Sequence, residues 1–277
     1  AALDEEMIYW SAKLGAVEAL MNGTTGIIDH HESPNAIEGS LDVIAQACEE
    51  VGVKVVCSYG VTDRHGVDAG RRGLEENRRF IANGGRGMVG VHAAFTCSDE
   101  LLNDAAGLAV DLGVGVHIHV AEGIDDVAAG ERLEGLAQEN WLLVHCVHLD
   151  RDLRGTIAHN PRSNMNNGVG YARPAQRKNN VILGTDGIGA DMLEEVRLAY
   201  VVARADNVLV SPELAWSWLQ NGYDFIPECR DDKVVWNYDH VDSAWHVAFT
   251  PGTRALNVQS STGEVLLQDG QPTRVDL

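Results

Sequence analysis

Residues 113–122 read GVGVHIHVAE, an apolar run that carries two histidines two apart and a glutamate three residues after the second. As a strand it would send His117 and His119 to one face and Ile118 and Val120 to the other. Six further runs share its texture: GTTGIIDH (23–30), VKVVCSYGV (53–61), GMVGVHAAFTC (87–97), WLLVHCVHL (141–149), GTIAHNP (155–161) and NVILGTD (180–186). Between the early runs lie IEGSLDVIAQACEEVG, AGRRGLEENRRFIANG and SDELLNDAAGLAVDLG, amphipathic stretches that each close on glycine, the usual helix stop. Near-continuous Val, Ile and Gly runs alternating with helices describe parallel strands covered on both faces. No GxGxxG turn marks a dinucleotide crevice, so the reading is a (β/α)8 TIM-type barrel and not an open doubly wound sheet.

A closed barrel needs eight strands, and the sequence shows seven. MIYWSAKLGAVEALMNG (7–23) reads as a helix that would follow a first strand, and the chain begins without methionine, so strand 1 is expected upstream of residue 1. After the seventh run, GADMLEEVRLAYVVARA and SPELAWSWLQNG read as helices. From Asp232 the texture turns to KVVWNYD, WHVAFT and ALNVQSSTGEVLLQDGQPTRV, a small antiparallel β unit with turns at glycine. The expected division is a barrel domain over residues 1–225 and part of a small β-sandwich over 226–277.

Composition narrows the function. The 277 residues carry a formal charge of −20 from 41 acids against 21 bases, a balance that repels nucleic acid and anionic membrane and suits a small neutral or cationic substrate. No apolar run approaches a membrane span and no basic leader opens the chain, so a cytoplasmic protein is expected. A homodimer is the expected assembly. The five cysteines are widely spaced inside apolar runs and read as buried thiols, neither a disulfide framework nor a zinc knot.

Barrel enzymes keep their active sites at the C-terminal ends of the strands. Here those ends are Asp29, His30 and His31; Ser58; His92; His119 and Glu122; His145; His159 and Asn160; and Asp186. His119 stands nearer the strand end than His117, so it reaches the mouth while His117 lies a layer deeper, and Glu122 leans over the same mouth from the following loop. A neutral imidazole ligates zinc, and a nearby carboxylate off the metal can shuttle protons; standing alone, the pair would read as packed core histidines. His145 follows four residues that would all be buried in a strand, and needs a partner. Asp186 ends an apolar strand and needs a cation or strong donors, unless it caps a helix starting near Ile188. His92 either contacts substrate or packs, and His148 reads as loop. HNPRSNMNNG (159–168) reads as a loop over the pocket whose Asn160 and Asn164 amides could bind a heterocycle's edges, or as a plain turn cluster. Of the adjacent His30 and His31, at most one can face inward.

Together these residues carry a resemblance. HxxE at His119 and Glu122, VHC at His145, HNPxSN at 159–164 and LGTDG at 183–187 stand in the order seen in the amidohydrolase superfamily. They resemble its cytosine deaminase, guanine deaminase and triazine hydrolase-like branch. GTTGIIDHHESPNAIEGSLD and NPRSNMNNGVGYARP are most similar to SsnA-type aminohydrolases. The resemblance implies a (β/α)8 barrel with one divalent metal, zinc first, iron or manganese suiting the same donors. The ligands would be a strand-1 HxH pair, His119 and Asp186. It further implies that Glu122 is the proton shuttle, that His145 orients the water or polarises the substrate, and that His92 touches substrate. The chain departs from this pattern in showing no HxH before residue 23, and in a short stretch between His145 and His159.

The implied chemistry is hydrolytic deamination of an amino-substituted purine, pyrimidine or triazine, with Glu122, His145 and Asp186 as catalytic groups. The alternatives are hydrolysis of a C–Cl, C–S or cyclic amide bond by the same site, or a metal-poor scaffold.

Overall fold

The computed structural model describes residues 3–187, 189–238, 243–248 and 254–276. Each of the seven apolar runs contains one strand. β1 (Gly26–Ile28) and β2 (Lys54–Val56) pair in parallel, and β3 (Val89–Ala93), β4 (Val116–Val120), β5 (Leu142–His145), β6 (Thr156–His159) and β7 (Val181–Leu183) form a parallel sheet in that order. Parallel bridges from Cys57 to Gly87 and from Val61 to Val91 join the two pieces. The seven strands therefore follow one another in chain order, and no described strand pairs with the outer edge of β1 or of β7.

Helices cover the outside: α1 (Glu5–Met21), α2 (Ser40–Val51), α3 (Val67–Ala82), α4 (Asp99–Leu112), the short α5 (Ala129–Leu133) and α6 (Pro161–Asn166), then α7 (Met192–Asp206) and α8 (Pro212–Gln220). Their ends follow local chemistry. Asp4, Ser98, Asp191 and Ser211 cap α1, α4, α7 and α8 through side-chain oxygens, and α2 and α4 stop at Gly52 and Gly113 in the left-handed region. Because Asp191 caps α7, Asp186 is not a helix cap; Ile188 itself lies outside the described residues.

Strand parity divides the core. Val91, Ile118, Val120, Leu143, Ile157 and Val181 face the helices in the main cluster. Val56, Leu142, Val144, Ala158 and Ile182 face the other way, forming a smaller inner cluster with Ile226 and Cys229. Residues after α8 reach both outer strands: Asn221 donates to the Val181 carbonyl of β7 at 2.9 Å, and a side chain on Gly26 of β1 would meet Cys229 Sγ at 2.8 Å.

The C-terminal texture forms a second, antiparallel sheet of β8 (Lys233–Trp236), β9 (Ala255–Gln259), β10 (Val265–Gln268) and β11 (Gln271–Pro272), in the order β11-β10-β9-β8. WHVAFT departs from expectation. Ala244–Val247 is a helical turn, because the Ser243 hydroxyl accepts the His246 N–H and caps it; residues 249 and 250 lie outside the described residues.

Candidate active site

The inner face of the strands ends in a cluster of histidines and carboxylates, and parity places only some of them. On β4, Ile118 and Val120 pack outward, so His117 and His119 point inward. On β1, Ile28 packs against the inner cluster, so His30 points inward and His31 outward, where it contacts Ser33 and Tyr59. His145 breaks the pattern. With Leu142 and Val144 inward, parity would turn it toward the helices, yet its ring stacks on that of His119 with centroids 5.4 Å apart. The reason is its backbone: φ is +68° at His145, and Ala121 and Asp186 are likewise left-handed at +46° and +55°. Non-glycine residues hold that conformation only when their surroundings over-determine it, and such strain gathers at functional sites.

Those turns bring three groups together. Glu122, His145 and Asp186 each offer one ligand atom, all within 4.8 Å of one another. His145 Nε2 lies 3.6 Å from Glu122 Oε2 and 3.9 Å from Asp186 Oδ2. Beneath them, the HNPRSNMNN stretch folds into α6, not an open loop. Ser163 donates to Asp186 Oδ2 at 2.5 Å, and Asn164 Oδ1 lies 2.8 Å from His145 Nδ1. The Asn167 amide, one residue past α6, reaches Ser163 Oγ at 3.3 Å and Glu122 Oε1 at 3.5 Å. Asn160 and Asn164 are both buried, with amides against His145; they brace that ring from behind, where the sequence had them reading substrate.

The remaining predicted residues divide. His92 borders the mouth with its ring 5.6 Å from that of His119, and its carbonyl takes the His119 Nδ1 hydrogen at 2.5 Å. His117 sits deeper, with Nδ1 3.2 Å from Ser58 Oγ. His159 faces outward, between Tyr171 and Trp218, away from the cluster, and His148 turns to the Val169 carbonyl. Sequence reasoning missed Ser163, Asn167 and Asp126. Asp126 is buried and accepts the Ala121 and Phe95 N–H groups at 2.8 and 3.0 Å, tying together the loops that follow β4 and β3. The DD pair at 125–126 was its one visible sign, and surface acids look the same in sequence.

Electrostatics favour a cation here. Burial holds His30 well below the ordinary imidazole range, His117 at about 3, His92 at about 4 and His119 lower than usual, so these rings are neutral at pH 7. Burial pushes Asp186 up, but the Ser163 hydroxyl and the Gly187 N–H outweigh it and hold the carboxyl below its usual range. Neutral imidazoles facing two carboxylates make a donor set with charge matched to a divalent ion. His119 fits that role locally. Its Nδ1 is committed to a backbone carbonyl, the arrangement that orients a ligating histidine and leaves Nε2 for a metal. The residues present therefore fit a divalent metal.

Residues 2–220 match the model of the amidohydrolase family. This chain belongs to that family. It is 34% identical over 237 residues to 5'-deoxyadenosine deaminase of Methanopyrus kandleri, an alignment covering 74% of this chain and 53% of that protein. It is also 34% identical over 229 residues to 5-methylthioadenosine/S-adenosylhomocysteine deaminase of Desulfitobacterium hafniense, covering 71% and 51%. The chain thus spans about half the length of the curated relatives it matches. Among solved structures, it superposes on a zinc-bound adenosine deaminase from Xanthomonas campestris with a TM-score of 0.84 at 18% identity, over 99% of this chain and 73% of that one. Atrazine chlorohydrolase from Arthrobacter aurescens, complexed with zinc, gives 0.79 at 19% identity, over 99% and 75%. These likenesses establish an amidohydrolase fold of TIM-barrel type, with the parallel strands and the antiparallel sheet described above. Among the described residues, no helix is long and apolar enough to cross a membrane.

Proposed function

We propose that this chain carries the catalytic barrel of a metal-dependent aminohydrolase that deaminates an amino-substituted nitrogen heterocycle, with the 6-amino group of an adenine-type nucleoside as the first candidate. The observation that carries the reading is the convergence of Glu122, His145 and Asp186 within 4.8 Å on three left-handed strand ends. The names of the curated relatives, adenosine-derivative deaminases from several organisms, support the substrate class.

In this reading His119 and Asp186 would hold a divalent ion, zinc first, which when bound would supply Lewis acidity to a water near neutral pH. The chain's own groups do the rest. Asp186, fixed by Ser163 and by the Gly187 N–H, accepts a proton from the attacking water. Glu122, with one third of its side chain exposed, reaches over the mouth and passes one proton of the water to the ring nitrogen, while the proton taken by Asp186 goes to the amino group, which departs as ammonia. His145 presents Nε2 to the reacting oxygen because Asn164 occupies Nδ1. His92 borders the ring-binding side. Residues 1–225 carry this chemistry on a (β/α)8-type barrel and 226–277 belong to a small β-sandwich, acting on a small cytoplasmic metabolite.

The test is ammonia release from adenosine-type nucleosides, aminopyrimidines and aminotriazines after zinc loading, on the full open reading frame that encodes this chain. Glu122→Gln should lose nearly all turnover while retaining its metal. Stoichiometric metal with no ammonia from any of these substrates, or full turnover in Glu122→Gln, would sink the proposal.

A further inference from the structure

The carboxylate that has to move a proton is the one the structure leaves untied. Among the described residues, the closest polar partners of the Glu122 carboxylate are Asn167 Nδ2 at 3.5 Å and His145 Nε2 at 3.6 Å, at or beyond the limit of a hydrogen bond. A side chain that is loose at its tip points in a useful direction only if its base is fixed. That base is Ala121, which is buried and left-handed at φ +46°. An L residue enters that region at a cost, and the methyl side chain of alanine has no polar group with which to hold itself there.

Ala121 is clamped from both sides by other segments. Its carbonyl accepts the His148 N–H at 2.8 Å, and its N–H donates to Asp126 Oδ2 at 2.8 Å. Asp126 is 3% exposed although Asp125 and Val127 on either side of it are exposed. Its other oxygen, Oδ1, accepts the Phe95 N–H at 3.0 Å. Two N–H donors, one to each oxygen, match a carboxylate, which only accepts; an amide in its place would turn its own N–H groups on one of them. The far anchor is firm. Phe95 lies in the loop after β3, where Thr96 Oγ1 meets His92 Nδ1 at 3.0 Å and the Ala94 and Cys97 carbonyls both accept from Arg132. Asp126 therefore ties the residue before Glu122 to a braced segment of the mouth.

We propose that Asp126 is the positioning residue for Glu122: by holding Ala121 left-handed against the loop after β3, it aims Glu122 across the mouth toward His145 and Asp186 and leaves the carboxylate free to move. The inference rests on the aminohydrolase reading for the task of Glu122. It goes beyond that reading in assigning a residue that none of the HxxE, VHC, HNPxSN and TDG motifs contains.

The experiment uses the full open reading frame that encodes this chain, loaded with zinc, and follows ammonia release from adenosine-type nucleosides, aminopyrimidines and aminotriazines. Asp126→Asn keeps the shape and loses one acceptor, and Asp126→Ala loses both. Each should keep wild-type zinc content and a KM within about twofold, while kcat falls at least about tenfold. Combining Asp126→Ala with Ala121→Gly separates positioning from general damage. Glycine enters the left-handed region unaided, so the double variant should regain about threefold in kcat over Asp126→Ala. A second measurement needs no turnover: amide hydrogen exchange of the unloaded chain, read by mass spectrometry over residues 119–127, should quicken in both single variants while β5, β6 and β7 exchange as in wild type. Far-UV circular dichroism confirms which variants fold. Folded single variants with wild-type kcat, or a double variant no faster than Asp126→Ala, overturn the role of Asp126 and leave the aminohydrolase reading intact. A zinc-loaded wild type that releases no ammonia from any of these substrates overturns that reading; unchanged exchange over residues 119–127 then overturns the clamp by itself.

Discussion

Replacing Glu195 by alanine tests whether the active-site helix α6 owes its seat to a buried ion pair. Glu195 lies on α7 with its side chain wholly buried, and it accepts from Arg162 Nε at 2.7 Å and from the Arg162 backbone N–H at 3.2 Å. Arg162 directly precedes Ser163 and Asn164, which hold Asp186 and His145. Removing one partner of a buried pair strands the other and costs roughly 3–5 kcal/mol. One quarter of the Arg162 side chain is exposed, so water recovers part of this, and we expect about 3 kcal/mol. At roughly 2–4 °C per kcal/mol for a chain of this size, Tm should fall by about 6–12 °C. In urea the midpoint should drop with an unchanged slope. The comparison is Lys178→Ala. Lys178 meets Asp152 at 2.6 Å, slightly shorter than the Arg162 pair, but with side chains 84% and 56% exposed, and its loss should cost under about 0.5 kcal/mol.

The pH dependence sharpens the test. Burial raises the Glu195 carboxyl above its ordinary 4.5 despite the opposing pull of Arg162. A folded-state value above the unfolded one means that ionisation works against folding. That penalty is absent below the unfolded value and grows as pH climbs through the folded one. Glu195→Gln, which keeps an acceptor for Arg162 without the charge, should therefore cost less than alanine and remove this loss of stability above pH 4.5. A Glu195→Ala Tm within about 1 °C of wild type, or a Lys178→Ala effect of equal size, would show that burial does not set the worth of these pairs.

Three further outcomes are expected. Asn164→Ala removes the 2.8 Å partner of buried His145; at about 1–3 kcal/mol turnover should drop roughly tenfold or more with KM little changed, and an unaltered kcat would refute its bracing role. Burial holds His159 at about 3, so the unfolded chain takes up its proton first and stability is lost as pH falls from 6.5 toward 3. Between pH 6.5 and 5 that single group accounts for about 2 kcal/mol, and urea titrations should find His159→Phe less acid-sensitive than wild type. All five cysteines are buried, and burial pushes Cys48 and Cys146 up to about 12. A thiol reagent should label the native chain slowly and all five on unfolding; fast labelling of either thiol would contradict the packing.

The parts of the site that sequence could read were those governed by strand alternation. Ile118 and Val120 fix the direction of His117 and His119, and the apolar runs fix seven strands in order. Sequence named His145 as important, but alternation alone would have turned it toward the helices; only its left-handed backbone brings it to Glu122 and Asp186. His159 shows the converse, a motif histidine that parity carries out between Tyr171 and Trp218. Asn160, Asn164, Ser163 and Asn167 looked like a polar loop because their composition is that of a turn. Pro161 starts a short helix there instead, and one turn of it presents different residues to Asp186, His145 and Glu122.

By itself, then, the sequence determined what depends on neighbours along the chain: strand and helix placement from periodicity and capping, the inward face of β4, and the family from four ordered motifs. Tertiary structure decided what depends on contacts across the chain. Which of the adjacent His30 and His31 faces inward, which strand-end residues turn left-handed, and which asparagines brace a ring are set by packing among residues 19 to 89 positions apart. Backbone strain and close approach, such as Gly60 against His30, leave no mark on local composition, because the atoms that over-determine them come from distant segments.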